Sequence, residues 1–142
     1  HAYKGKTRRN EPMFGSSGHW YVYLIYGMYY MLNIVTGPKN YPAAFLIRGL
    51  EDACPVRSRS PQGARSTAFG RVASNGINGP GKLTKKLKIN KFLNNKKAVP
   101  INGLWIEGRG VKINKKDIKK SARIGVDYAG PVWSKKKLRF FI

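Results

Sequence analysis

The chain has 142 residues, 28 of them Lys or Arg against 6 acidic, for a formal net charge of +22. That length supports one compact domain with a sizeable core but not two, and so lopsided a charge self-repels unless an anionic partner or solvent spreads it, which makes a polyanion the expected partner. Cys54 is the single cysteine beside two histidines, which excludes an intrachain disulfide and a cysteine-based metal site and fits a reducing compartment.

The chain opens at His1 with no initiator Met and no charged-then-apolar leader, so it reads as a chain whose beginning is missing. Residues 1–19 are polar and basic, with Lys4, Lys6, Arg8 and Arg9, and are expected to be loop ending in a turn at Ser16 to Gly18. Trp20 to Thr36 is the single candidate for a membrane span. Its Tyr21, Tyr23, Tyr26, Tyr29 and Tyr30 prefer the bilayer interface to its centre, and Gly27 and Asn33 interrupt it, so a transmembrane helix is rejected. Instead Tyr21–Tyr26 and Met28–Val35, rich in aromatic and branched residues and broken by one Gly, predict two strands reversing near Tyr26-Gly27-Met28. Ala43–Ile47 reads as a third strand, followed by the charges Arg48, Glu51 and Asp52.

From Cys54 to Gly81 the composition turns to Ser, Gly, Arg, Asn and Pro, which predicts a loop or mobile excursion. Leu83 and Leu87 at helical spacing predict a short helix starting near Pro80, whose free N–H groups could hold a phosphate. Beyond it, Leu104–Ile106 reads as a strand, Asp117–Arg123 as a short helix and Leu138–Ile142 as a terminal strand. Lysine is sparse up to Asn78 and then crowds Lys82, Lys85, Lys86, Lys88, Lys91, Lys96 and Lys97, so the C-terminal half carries the field. A solvated Lys-rich face would look the same by composition alone.

Alternate Tyr residues on a strand either fill a core or face outward to stack on bases. Burial accounts for about half of those here, because one face of each strand must be covered. It accounts least for Tyr26, Met28 and Tyr29, which flank the turn. Apolar side chains on a projecting ribbon are the kind of wedge that unstacks a duplex step.

The stretch Thr7-Arg8-Arg9-Asn10-Glu11-Pro12-Met13-Phe14, then Gly18-His19-Trp20-Tyr21-Val22-Tyr23-Leu24-Ile25-Tyr26-Gly27-Met28-Tyr29 and Leu32-Asn33-Ile34, closely resembles the alkyladenine (3-methyladenine) DNA glycosylases. Ala43 to Glu51 with Arg48 inside, Gly79-Pro80-Gly81-Lys82-Leu83, Arg123 to Gly130 and Leu138-Arg139-Phe140-Phe141 follow in the family's order. The resemblance covers nearly the whole chain and is weakest from Cys54 to Asn78, where the family usually has a helical segment and this chain has prolines.

The resemblance implies one DNA glycosylase-like domain over 1–142, lacking the family's N-terminal part. The fold it implies is α+β, on a curved, open-barrel-like antiparallel sheet with a protruding aromatic hairpin and short helices. The implied function is base-excision repair: a monofunctional enzyme flips an alkylated or deaminated purine from duplex DNA and hydrolyses its N-glycosidic bond, without metal or organic cofactor. Tyr26 resembles the minor-groove wedge, with Met28 and Tyr29 beside it. Tyr23 resembles one wall of the base pocket, His1 the contact opposite, and Asn33 the amide that crowds the 2-amino group of guanine. Arg48 resembles the arginine that positions the attacking water together with a backbone carbonyl near Val126, and Lys82 a phosphate contact. Read without the resemblance, Asn33 is equally a satisfied strand amide, Arg48 a surface partner of Glu51, and His1 a disordered terminus.

In this family the general base is a Glu ahead of the position matched by His1, and none of Glu11, Glu51, Asp52, Glu107, Asp117 and Asp127 stands there. The chain as written is therefore expected to bind but to cleave poorly or not at all. The implied partner is duplex DNA containing damaged purines, bound by a monomer with no membrane involved, in the cytoplasmic nucleoid of a bacterium or the nucleus of a eukaryote. A basic RNA-binding or ribosomal-type protein is the rival reading, since high Lys and few acids describe those as well.

Overall fold

The structure is a computed structural model that describes residues 2, 4–50, 76–108 and 110–142. They belong to two compact units, Gly5–Trp105 and Ile106–Ile142 with His1–Lys4. The first is built on β1 (Trp20–Ile25) and β2 (Tyr29–Val35), the two strands expected from the aromatic run. They pair antiparallel from Trp20↔Ile34 to Ile25↔Tyr29, and β3 (Ala44–Leu46) adds to β2 with Asn33↔Leu46 and Val35↔Ala44. The sheet order β1-β2-β3 is open rather than closed into a barrel, and with a few short helices it gives the expected α+β class. Trp20–Thr36 is thus sheet, and among the described residues no helix is long and apolar enough to cross a membrane.

The two-residue period of a strand sorts these side chains onto two faces. One face delivers Trp20, Val22 and Leu32 to a core completed by Leu83 of α1 (Pro80–Lys86), with Tyr30, Ile34, Ile47 and Ile89 packed against it. Leu83 is fully buried, which contributes about 2 kcal/mol. The helix begins at Pro80 as expected, because proline's missing N–H costs nothing in a first turn. It is also pinned by a polar contact: the buried Thr84 hydroxyl donates to the Tyr30 carbonyl at 2.8 Å. The Trp20 indole N–H donates to the Leu104 carbonyl at 3.1 Å, so the largest core side chain leaves no polar atom unpaired.

The outer edge of β1 is covered by the segment around Asn94–Ala98. The Val22 N–H donates to Asn94 Oδ1 at 2.9 Å, the Asn95 N–H to the Trp20 carbonyl and the Trp20 N–H to the Lys96 carbonyl, both at 2.8 Å. These bonds occupy the outward backbone groups of Trp20 and the N–H of Val22, which blunts that end of the edge.

Three expectations are corrected. The loop expected from Cys54 to Gly81 gives way at its end to β5 (Ile77–Asn78), which pairs with β4 (Gly49–Leu50). Gly49 makes that pairing possible, since a Cβ there would lie 2.7 Å from the Ile77 carbonyl oxygen. Residues 51–75, Cys54 among them, lie outside the described residues. Leu104–Ile106 forms no strand, and Leu104 gives its carbonyl to the Trp20 indole instead of a ladder. In the second unit, the helix expected over Asp117–Arg123 is instead β6 (Lys119–Ser121), antiparallel to β7 (Arg139–Phe141) within the expected terminal strand. β7 needs a partner for its backbone groups, and Lys119–Ser121 supplies it. The same unit holds a 3-10 turn at Asp127–Ala129 and α2 (Gly130–Lys135).

Candidate nucleic-acid interface

The face of the sheet turned away from the core carries Tyr21 and Tyr23 on β1, opposite Asn33 and Met31 on β2. The two tyrosine rings lie 5.1 Å apart with their planes inclined by 33°. Tyr21 is buried, and that burial, reinforced by Tyr23 and opposed by Arg9, pushes its phenol up to about 12, so it stays neutral at physiological pH. Asn33 is 6% exposed and donates its side-chain amide to the Tyr21 carbonyl at 3.0 Å and the Met31 carbonyl at 3.1 Å. Both amide protons are thereby used, the carboxamide is held in one orientation, and Oδ1 is the remaining hydrogen-bonding atom. The strand amide is satisfied and held rigid.

Arg9 completes this face. Its guanidinium lies 5.2 Å from the centroid of the Tyr23 ring and donates from Nη2 to the Leu24 carbonyl at 2.9 Å. Next to it in the chain, buried Asn10 folds the loop, accepting the Thr7 N–H through Oδ1 at 2.6 Å and donating to the Gly5 carbonyl at 3.0 Å. Sequence reasoning quoted Arg9 only as part of a motif, because no spacing rule links a loop arginine to a strand fourteen residues on.

At the tip the chain reverses through Tyr26 at φ 53° and Gly27 at φ 68°, closed by the Met28 N–H donating to the Ile25 carbonyl at 3.1 Å. Positive φ at both central residues is what a type I′ hairpin turn requires. Gly27 adopts it freely, whereas a tyrosine there costs about 1 kcal/mol. That strained tyrosine is 82% exposed and Met28 is 69% exposed, so neither is held in place by a core. Tyr29 differs: it is 44% exposed and leans on the start of α1, where a Cβ at Gly81 would meet its Cδ1 at 3.0 Å.

Arg48 is half-buried two residues beyond Leu46, the register partner of Asn33, and its carbonyl accepts the Gly79 N–H at 2.8 Å, tying the end of β3 to the entry of α1. Lys82 is exposed on the first turn of that helix. In the second unit Val126 is buried, and its carbonyl accepts the Ala129 N–H at 2.9 Å. His1 lies outside the described residues. Tyr23, Asn33 and the three tip residues are thus carried on one strand pair. Around it, residues 76–105 contain no acid, and Glu11 is paired with Lys6 at 3.0 Å on the surface.

These features define a basic α+β protein whose sheet holds a fixed amide and a tyrosine pair and carries an exposed aromatic tip at the hairpin turn. The family described as Methylpurine-DNA glycosylase (MPG) matches residues 1–142, and the chain belongs to it. A protein of Methanocella arvoryzae is 44% identical over 131 residues, 92% of this chain and 62% of its own length. One of Clostridioides difficile is 39% identical over 135 residues, 87% of this chain and 66% of its own, and one of Rickettsia peacockii 41% over 126 residues, 89% and 58%. Each is named "Putative 3-methyladenine DNA glycosylase". The chain spans about three fifths of the length of these relatives.

Proposed function

We propose that this chain recognises damaged purines in duplex DNA as part of a monofunctional glycosylase of base-excision repair. The observation that carries the reading is the β1–β2 hairpin, which unites a strained, solvent-facing Tyr26 with a rigid Tyr23–Asn33 face on the same two strands. Extruding a base costs a few kcal/mol of stacking and pairing. Tyr26 offsets part of that by filling the gap, with Met28 and Tyr29 alongside, while basic groups such as Lys82 neutralise phosphates.

The extruded purine stacks on Tyr23, and Asn33 excludes the 2-amino group of guanine. An alkylated or deaminated purine is favoured twice, since it fits this pocket and its weakened glycosidic bond leaves more readily. Water oriented by Arg48 attacks the sugar C1′ as the N-glycosidic bond breaks, and the purine departs with the bonding pair and takes up the water's proton. The proposed hydrolysis uses no metal or organic cofactor. The protein acts as a monomer on duplex DNA, in a bacterial nucleoid or a eukaryotic nucleus.

Ethenoadenine fluorescence responds to stacking, so a duplex carrying one such base tests the flip directly. Saturation with protein is expected to change that fluorescence in step with binding followed by anisotropy. Binding without any change in fluorescence would overturn the reading.

A further inference from the structure

Beside the hairpin tip, a groove of about 460 Å³ runs between the start of β2 and one face of α1. Met28 and Tyr29 form its hairpin wall, and Gly81, Thr84 and Lys85 of α1, with Lys88 just past its end, form the other. Its floor is rigid for two reasons given above: Thr84 is hydrogen-bonded to the Tyr30 carbonyl, and Gly81 lets Tyr29 lie against the helix backbone. Lys88 sits just past the helix at φ 52°, with its N–H donating to the Lys85 carbonyl at 3.2 Å, so both lysine stems leave from one anchored turn. Both are exposed, and residues 76–105 supply no acid to pair with them. The functional reading uses Met28 and Tyr29 at the tip and leaves Lys85 and Lys88 without a role.

We propose that the groove seats the phosphodiester backbone of the DNA strand adjoining the inserted tip, with Lys85 and Lys88 each neutralising one phosphate. Charge complementarity selects this occupant, because two ammonium groups with no acidic partner among the described residues, beside an apolar wall, suit a strand whose phosphates are anionic and whose sugars are largely apolar. The two residues are joined by the Lys88 N–H bond to the Lys85 carbonyl, and each ammonium rides on a flexible four-carbon stem. The pair can therefore reach successive phosphates. The proposal rests on the reading that the hairpin enters a duplex.

The test is salt-dependent binding of the full chain to undamaged and ethenoadenine duplexes, comparing it with K85Q/K88Q and with K115Q/K116Q, a pair of exposed lysines in the second unit. Each phosphate contact contributes about 0.9 to the slope of log affinity against log salt. The slope of K85Q/K88Q is expected to fall by about 2, so that the affinity ratio between 50 and 200 mM salt shrinks by roughly an order of magnitude. Preference for the lesion over the undamaged duplex stays as it was. An unchanged slope in K85Q/K88Q, or an equal fall in K115Q/K116Q, overturns the proposal. Equal affinity of the unaltered chain for the two duplexes would defeat the functional reading instead, and the slopes would still report on the groove.

Discussion

Replacing Tyr26 separates folding from recognition, because the residue is strained, exposed and away from the core. At 82% exposure it buries little apolar area, so Tyr26→Ala should change folding stability by no more than about 0.5 kcal/mol. Tyr26→Gly relieves the positive φ of 53°, a gain of about 1 kcal/mol, partly cancelled by the greater freedom of glycine in the unfolded chain, so it should be neutral to slightly stabilising. Binding should move the other way in both variants. Loss of one aromatic that stacks in the duplex removes about 1–3 kcal/mol, roughly 5- to 150-fold in affinity. That loss should appear on ethenoadenine and abasic-analogue duplexes and be far smaller on undamaged DNA. Urea denaturation and fluorescence anisotropy at fixed salt measure the two halves. A Tyr26→Ala variant destabilised by several kcal/mol, or weakened equally on all duplexes, would refute the argument and make Tyr26 a packing residue.

Asn33→Ala removes the side-chain donor from the Tyr21 and Met31 carbonyls, which should cost about 1–3 kcal/mol of stability in urea denaturation; discrimination against guanine in competition binding should fall with it, and intact discrimination would remove Asn33 from the pocket. Burial holds the Tyr21 phenol at about 12 against an ordinary 10.0, so between these values the unfolded chain gives up this proton while the folded one keeps it. Stability from this source is therefore present below pH 10 and lost as the pH rises towards about 12, and the difference between the unaltered protein and Tyr21→Phe should be flat and then decline across that window. A flat difference throughout would mean that the phenol is not desolvated. Single-turnover excision of hypoxanthine by the 142-residue chain is expected to be slow or absent, because Glu11, the one acid among the described residues of the first unit, is turned to Lys6 on the surface. Rapid release of the base would assign water activation to another of its acids.

The parts of the fold that the sequence made legible are those specified locally. Aromatic and branched residues broken by one Gly marked β1, β2 and their turn, and Pro80 ahead of Leu83 marked α1. Pairings between distant segments were hidden: Ile77–Asn78 becomes a strand by meeting Gly49–Leu50, and the polar Lys119–Ser121 by meeting β7. Neither two-residue nor lysine-rich stretches carry a periodicity of their own. The candidate site divides in the same way. The exposed tip followed from the turn, but the alignment of Asn33 with Tyr21 depends on strand register, and the stacking of Arg9 on Tyr23 depends on a loop held by Asn10. The individual roles of Tyr23, Asn33 and Arg48 came from the family resemblance; spacing alone offered each a structural explanation.

The central claim is that the hairpin and the Tyr23–Asn33 face recognise a damaged purine in a duplex. Competition among an ethenoadenine duplex, the same duplex undamaged and a structured RNA, at one salt concentration, tests it most directly, since phosphate attraction is then common to all three. The account predicts that the lesion duplex binds tightest, by about tenfold or more, which corresponds to about 1.4 kcal/mol. Equal affinity for the two duplexes, or a preference for the RNA, would contradict it.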